Sequence, residues 1–162
     1  MSVSLLALGV DHRSATASVR EALAFDGDKL GVGLNALSSA FPGNEFVILS
    51  TCNRVEVYAA GAPDAMPEVD LISQFLADFH GLSLEDLSGH LVHYRDEGVV
   101  GHLFRVSASL ESLVLGEGQI LGQVRDAYRA AVERGTVRQI GHALFQQAIR
   151  VGKLVREQTG MD

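Results

Sequence analysis

The single cysteine of this 162-residue chain, Cys52, lies in a polar interruption between two apolar segments. The stretch ILSTCNRVEV, residues 48–57, becomes polar at Ser50 and resumes an alternating pattern at Val55. A lone free cysteine is most often buried and structural, but polar neighbours at the end of a strand favour exposure. Arg54 would favour the thiolate, the nucleophilic form, if its side chain lies near. The pattern leaves two interpretations open, a structural cysteine or a nucleophile for acyl transfer through a thioester.

Acyl transfer also needs a base or an orienting group, and a histidine is one candidate for it. His102 lies at the edge of a helical apolar stripe, which predicts a partly exposed imidazole. His90 and His93 are three residues apart in a predicted strand, so they point to opposite faces and a metal pair is not expected. For each histidine, a packed or surface position remains the more frequent case. The six histidines are His12, His80, His90, His93, His102 and His142.

A glycine-rich segment, GEGQILG at residues 116–122, raises the question of a nucleotide site. Its glycines are spaced one residue too far for the dinucleotide fingerprint, and a helix precedes them instead of a strand. The same objection applies to GVGLNA, which begins at Gly31. Glu117, Gln119 and Gln123 nevertheless add polar side chains where glycines permit close approach to a ligand. The pattern does not choose between a glycine-loosened helix start and a substrate-facing loop.

Composition indicates an ordinary soluble globular protein, with 47% hydrophobic and 20% charged residues. The net charge of −7 argues against an autonomous nucleic-acid binder. A local basic strip remains compatible with RNA, because Arg150, Lys153 and Arg156 share one helical face. No apolar run approaches the ~18 residues that a membrane span needs, and no secretory signal is recognisable. The prediction is a cytoplasmic protein without a membrane association, a disulfide or a metal site.

Hydrophobic periodicity predicts an α+β fold, a ferredoxin-like split βαβ sandwich followed by a small helical subdomain. The first unit covers residues 1–95 and the helical subdomain residues 96–162. In the first unit the order is strand, helix, two paired strands, helix, strand. The predicted strands are 3–10, 46–49, 55–59 and 90–95, the helices are 28–41 and 69–80, and the loops include 11–18 and 60–67. In the second unit three apolar stripes predict three helices, and the first stripe runs from Val99 to Leu110.

Three motifs in this order resemble glutamyl-tRNA reductase: LLALGVDHRSA, LSTCNRVEVY and LESLVLGEGQILGQVRDAY. The resemblance continues to FQQAIRVGKLVRE and so covers the whole chain. Proteins of that family are more than twice as long and continue with an NADPH-binding Rossmann domain and a helical dimerisation domain. The resemblance therefore implies an N-terminal catalytic domain, expected to be a fragment, in which the helical subdomain completes the substrate pocket.

The family reduces the glutamyl group of glutamyl-tRNA to glutamate-1-semialdehyde, in the biosynthesis of 5-aminolevulinate, heme and other tetrapyrroles. By resemblance, Cys52 is the nucleophile that forms the glutamyl thioester. His102 is a catalytic residue, with proton transfer and ester orientation as its candidate roles. Arg54 binds the side-chain carboxylate of the substrate, for which a planar guanidinium is suited. The other substrate-binding positions are Thr51, Asn53, Ser112, Glu117, Gly118, Gln119 and Gln123.

The resemblance also implies NADPH as the cofactor, bound outside this chain, and no metal. It implies glutamyl-tRNA as the substrate, a homodimer formed through the missing C-terminal domain, and glutamate-1-semialdehyde aminomutase as a candidate partner. Without a hydride donor site, the chain alone is expected at most to form or hydrolyse the acyl-enzyme.

Three positions depart from the family pattern. Thr16 and Gly118 stand where proline is usual, and Ala108-Ser109 replaces a usual Ser-Gly. No chemical group of the mechanism is lost, so these changes bear on the rigidity of the pocket. Two alternatives remain open: a stand-alone cysteine acyltransferase or thioesterase, and a non-catalytic tRNA-binding or regulatory module.

Overall fold

The computed structural model describes residues 2–111 and 119–160, which contain four strands and seven helices. The elements are β1 (Ser4–Asp11), α1 (Ala17–Leu23), α2 (Asp28–Ala40), β2 (Glu45–Ser50), β3 (Arg54–Gly61), α3 (Val69–Phe79), α4 (Leu84–Ser88), β4 (Val92–Arg95), α5 (Glu97–Ser107), α6 (Gln119–Arg134) and α7 (Gln139–Thr159). None of the helices in these ranges is both long enough and apolar enough to span a bilayer.

The four strands form one antiparallel sheet in the order β2-β3-β1-β4. Strand β3 lies between β1 and β2, which are consecutive in the chain and connected through α1 and α2. This arrangement is the split βαβ unit, and it confirms the predicted α+β class and the predicted pairing of the second and third strands. The register of β1 with β3 runs from Ser4 opposite Gly61 to Asp11 opposite Arg54.

Strand β3 is buried along its whole length because helices cover both faces of the sheet. On one face Gly33 of α2 packs close to Phe25 and Ile48, and Ile48 lies opposite Val57 in the neighbouring strand, so the core there is apolar. On the other face Tyr58 meets Phe145 of α7 at a ring separation of 5.4 Å. Alternate residues of a strand point to opposite faces. One face of β3 is therefore apolar, and the other carries polar side chains.

Helices α5, α6 and α7 occupy the region that the apolar stripes predicted to be helical. The stripe beginning at Val99 was extended too far, because α5 ends at Ser107 and Leu110 beyond it is 50% exposed. Asp96, the residue before α5, bonds to both backbone groups of Leu5, its amide donating at 2.9 Å and its carboxylate accepting at 3.0 Å. The division of the chain at residues 95 and 96 stays a prediction.

Hydrophobic periodicity did not predict two helices, α1 and α4. Helix α1 begins at Ala17, inside the predicted loop 11–18, and buries only Leu23. Helix α4 has five residues and follows the capping residue Ser83, whose hydroxyl accepts from the Asp86 amide at 3.1 Å. Helices of fewer than about two turns carry too few apolar positions for a stripe to be recognised.

Ser109, which departs from the family pattern, has an unusual backbone conformation. Ser109 has φ of +67°, a left-handed conformation that costs little for glycine and more for other residues. Glycine, which the family pattern usually has here, is the residue that suits this backbone. Ser109 is also buried, so its hydroxyl lies inside the protein.

A buried carboxylate, that of Glu45, attaches α7 to the sheet. Its oxygens accept hydrogen bonds from the amides of Arg138 at 2.5 Å, Ile140 at 3.2 Å and Gly141 at 2.7 Å. The first amides of a helix have no partner within the helix, and a negative charge there also interacts favourably with the helix dipole. Glu45 lies at the start of β2, so one side chain fixes where α7 begins relative to the sheet.

Replacing Glu45 with alanine should destabilise the chain by about 3 kcal/mol, because hydrogen bonds to a charged group contribute about 1.5–3 kcal/mol and the buried amides lose their acceptor. Urea unfolding followed by circular dichroism measures the change. Glu133→Ala is the matched control, since Glu133 is exposed on α6. Equal stability of the two variants would contradict this role.

Candidate active site

Cys52 lies in the short connection between β2 and β3 and is exposed, which favours the nucleophile over the buried structural cysteine. Thr51 organises this turn. Its amide donates to the Arg54 carbonyl at 2.8 Å, and its hydroxyl accepts from the amides of Asn53 at 3.1 Å and Arg54 at 3.2 Å. A turn held by three hydrogen bonds presents the thiol at a defined position at the edge of the sheet.

Arg20 of α1 ties this turn to the rest of the protein. Its Nε donates to the Cys52 carbonyl at 3.0 Å and its Nη1 to the Ala15 carbonyl at 2.7 Å. Sequence analysis did not identify Arg20, because α1 itself was not predicted. The sequence gives no separate signal for it, since the contact joins residues 32 positions apart.

Arg54 is buried, with 1% of its surface exposed. Its Nη1 donates to the Glu56 carboxylate at 3.2 Å and its Nη2 to the Glu111 carbonyl at 2.5 Å. The guanidinium is therefore fixed in orientation from two sides, by its own strand and by the segment that follows α5.

Glu56 contacts three other buried side chains. The four residues Arg54, Glu56, Tyr58 and His102 are called the Glu56 cluster below. The Tyr58 hydroxyl donates to the Glu56 carboxylate at 2.8 Å, and His102 Nε2 lies 2.7 Å from it. The His102 ring stacks on Tyr94 with centroids 4.1 Å apart. The predicted partial exposure of His102 is wrong: its exposure is 0%, because α5 turns the edge of its apolar stripe towards β3.

The environment keeps Glu56 in its charged form. Burial by itself raises the pKa of a carboxyl group, but the hydrogen bond and charge of His102, the charge of Arg54 and the Tyr58 hydroxyl outweigh burial. The pKa of Glu56 is therefore below its usual value. Burial and the neighbouring carboxylate raise the pKa of Tyr58 well above its usual value, so its hydroxyl remains a donor. Sequence analysis missed Glu56, although a charged residue within an apolar strand is a detectable signal.

A second carboxylate, that of Glu111, contacts two arginines close to Arg54. It accepts from Arg13 Nη2 at 2.6 Å and from Arg105 Nε at 2.7 Å, while its backbone carbonyl holds Arg54. Burial raises the pKa of Glu111, but Arg105 and Arg13 lower it more, so the net shift is downward. These contacts connect the end of β1, helix α5 and the turn of Cys52.

Six of the ten predicted site residues line one cleft, called the α6 cleft below. Gln119 and Gln123 are one turn apart in α6 and face the turn that carries Cys52. The buried His102 does not line this cleft. Ser112, Glu117 and Gly118 lie outside the described residues. The lining of the α6 cleft is Thr51, Cys52, Asn53, Arg54, Gln119, Ile120 and Gln123.

The glycines of GVGLNA do not form a nucleotide-binding loop. Gly31 and Gly33 lie inside α2, and a Cβ at Gly33 would come 2.6 Å from the Phe25 ring, so the absence of a side chain there serves helix packing. Within residues 2–111 and 119–160, no three His, Cys, Asp or Glu side chains are grouped as metal ligands.

Comparison with known proteins identifies the family of the chain. Residues 8–159 match the family described as the N-terminal domain of glutamyl-tRNAGlu reductase. The chain belongs to this family.

Relatives of this reductase domain are substantially longer. Glutamyl-tRNA reductase of Carboxydothermus hydrogenoformans is 46% identical over 158 residues, which are 98% of this chain and 35% of that protein. The Marinobacter nauticus protein of the same name is 42% identical over 98% of this chain and 36% of its own length. A solved structure of glutamyl-tRNA reductase from Methanopyrus kandleri superposes with a TM-score of 0.76 at 33% identity, covering 95% of this chain and 34% of that one. The chain spans about a third of the length of these relatives.

Substituting Glu56 with glutamine should destabilise the reductase domain by about 3 kcal/mol, since removing one partner of a buried ion pair leaves the other uncompensated. Tyr58→Phe should cost only about 1 kcal/mol, because it removes one hydrogen bond and keeps the ring against Phe145. Chemical unfolding at neutral pH measures both, with Glu133→Gln as the surface control. A Glu56→Gln variant as stable as the control would contradict the role of the Glu56 cluster.

Proposed function

We propose that this chain is the N-terminal catalytic domain of an NADPH-dependent glutamyl-tRNA reductase, in which Cys52 takes the glutamyl group from glutamyl-tRNA. The observation that carries the proposal is the exposed Cys52 on a hydrogen-bonded turn at the mouth of a cleft lined by Arg54 and two glutamines. Family membership, and relatives named glutamyl-tRNA reductase, support the same chemistry.

The first step is an acyl transfer. The thiolate of Cys52 attacks the carbonyl carbon of the ester, a carbon–sulfur bond forms, and the bond from the carbonyl carbon to the ribose oxygen breaks. The ribose oxygen takes up the proton that the thiol has lost and leaves as a hydroxyl of the free tRNA. A thioester is less stabilised by resonance than an ester, so the covalent intermediate is easier to reduce.

Arg54 holds the side-chain carboxylate of the glutamyl group. A guanidinium carries five N–H donors in one plane, and the contacts to Glu56 and Glu111 use only part of them. Those two contacts also fix the plane before substrate arrives, which lowers the entropic cost of binding. The guanidinium donates charge-assisted hydrogen bonds to the substrate carboxylate, and these are stronger than the hydrogen bonds that a neutral side chain would donate.

His102 acts as a positioning residue in this proposal. It is fully buried and its Nε2 contacts Glu56, so it influences the substrate through Glu56 and Arg54. Proton transfer and orientation of the ester, the two roles that the resemblance implied for His102, stay predictions. Thr51 and Asn53 shape the turn around the thiol, and Gln119 and Gln123 supply polar groups from the opposite wall.

The remaining parts of the reaction belong to the longer protein. NADPH supplies a hydride when bound, and we place its binding site outside the described residues, which do not fit it. The product is glutamate-1-semialdehyde for tetrapyrrole biosynthesis in the cytoplasm. Dimerisation and transfer of the product to glutamate-1-semialdehyde aminomutase are the proposed partner interactions.

Incubation of the chain with glutamyl-tRNA should give a covalent glutamyl adduct, detected by intact-mass spectrometry under acidic conditions that preserve thioesters. Cys52→Ser should give no thioester adduct. Arg54→Gln should lower the rate of adduct formation at least about tenfold, because the loss of one charge-assisted hydrogen bond corresponds to roughly 1.5–3 kcal/mol.

The same measurement separates the alternatives. An adduct that hydrolyses rapidly with no downstream reductase would favour a thioesterase. Absence of any adduct on the unmodified chain would favour a non-catalytic tRNA-binding module and would contradict the proposal.

Addition of NADPH to the acylated chain should release no glutamate-1-semialdehyde, because the described residues offer no dinucleotide fingerprint. The semialdehyde is measured by trapping its aldehyde with a hydrazine and by mass spectrometry. Hydride transfer by this chain alone would show that a dinucleotide site exists within it.

A further inference from the structure

We infer that an open groove between α6 and α7, on a different surface from the cleft beside Cys52, binds the phosphate backbone of RNA. The identity of that RNA as the body of glutamyl-tRNA rests on the proposed function. The groove, called the basic groove below, shares no lining residue with the α6 cleft. Its lining includes Arg125, Tyr128 and Arg129 of α6, and His142, Gln146 and Ile149 of α7.

Charge is distributed unevenly along the chain. Residues 1–118 contain six lysines and arginines against sixteen aspartates and glutamates, which gives a net charge of −10. Residues 119–160, which form α6 and α7, contain seven against three, a net charge of +4. Asymmetry of this kind is typical of a protein that contacts a polyanion such as nucleic acid. The overall charge of −7 therefore hides a basic surface made by two adjacent helices.

The arginines of the basic groove are available to an anion. Arg125 has no carboxylate partner within the part of the chain that the structure describes. Arg129 contacts the Asp126 carboxylate at 3.4 Å, but the two side chains are 67% and 74% exposed, and such an exposed pair contributes little. A guanidinium in this state binds phosphate oxygens with two parallel hydrogen bonds.

Neutral hydrogen-bonding groups lie between these charges. The Tyr128 hydroxyl accepts from Gln146 Nε2 at 3.1 Å and lies 2.5 Å from His142 Nδ1. The hydroxyl proton is then directed to Nδ1, which leaves Nε2 as the N–H donor of a neutral imidazole. Side chains of these types contact phosphate oxygens and ribose hydroxyls in complexes with nucleic acids, where such contacts position the backbone without reading its sequence.

The polar face of α7 continues beyond the basic groove. His142, Gln146 and Ile149 are followed at helical spacing by Lys153 and Arg156, so the five positions lie on one face of the helix. Fourteen residues separate the first from the last, which corresponds to about 21 Å along the helix axis. A face of this length fits an extended polyanion better than a single small anion.

Helix α6 connects the basic groove to the site of acyl transfer. Gln119 and Gln123 line the cleft beside Cys52, and Arg125 and Arg129 line the groove. Gln119 and Arg129 are ten residues apart, about 15 Å along the axis. An RNA held by its phosphates in the groove therefore has its binding surface one helix away from the thiol. The groove adds affinity for the RNA and takes no part in the chemical step.

The test measures binding of deacylated glutamate tRNA, labelled with fluorescein at its 5′ end, by fluorescence anisotropy over a series of salt concentrations. Arg125→Gln/Arg129→Gln removes two positive charges from the basic groove. Lys29→Gln/Arg95→Gln removes two from exposed positions of α2 and β4 and is the matched control. Arg125→Lys/Arg129→Lys keeps the charge of the groove. Thermal unfolding followed by circular dichroism shows whether each variant folds.

The groove variant should bind the tRNA at least about tenfold more weakly than the unmodified chain at about 0.1 M salt. Its plot of log affinity against log salt should also be shallower by about two, because each phosphate contact contributes about 0.9 to that slope. The variant with two lysines should keep the slope of the unmodified chain, and the control variant should match the unmodified chain in affinity.

Three results would overturn the inference: equal weakening by the groove and control variants, an unchanged salt slope in the groove variant, or no binding by the unmodified chain up to about 100 μM, the weak limit of binding through phosphate contacts. Vesicles of phosphatidylglycerol serve as a second probe. Binding to these vesicles through the groove arginines, without binding to tRNA, would assign the groove to a membrane surface and would also overturn it.

Acylation of Cys52 by glutamyl-tRNA tests the proposed function separately. A chain that binds deacylated tRNA through the basic groove but is not acylated contradicts the proposed function and not the role of the groove. A chain that is acylated, but whose affinity for tRNA does not depend on the groove arginines, contradicts the role of the groove alone.

Discussion

The carboxylate of Glu56 must be neutralised inside the protein, because it lies on the central strand of a sheet that is covered on both faces. Taking a charge out of water costs several kcal/mol unless partners compensate it. Arg54, Tyr58 and His102 provide that compensation from β3 itself and from α5. Once these contacts form, the packing of α5 on the sheet and the orientation of the guanidinium near Cys52 are fixed together.

The same principle recurs at Glu45 and Glu111. Glu45 sets the start of α7, and Glu111 joins the ends of β1 and α5 to Arg54. Apolar packing on the α2 face is not directional. Hydrogen bonds to buried carboxylates are directional, and they determine where the helices of the second face lie.

A rigid framework of this kind suits a reaction that begins with a small exposed nucleophile. The turn of Cys52 is fixed by Thr51 from within and by Arg20 from α1. Clefts lie on both sides of the thiol, one lined in part by α6 and the other in part by α1. Preorganisation of both walls reduces the ordering that binding would otherwise require.

The sequence by itself determined the order of the long elements and the pairing of β2 with β3, because apolar periodicity and a polar break between two strands are local properties. Its motifs also pointed to the family. Tertiary structure alone decided that His102 is buried and that α1 forms a wall beside the thiol. Glu56 and Arg20 act through partners 46 and 32 residues away, and no local pattern records such distances. Local spacing specifies which face of an element is apolar, whereas the partner of a buried charge is chosen only when separate elements pack together.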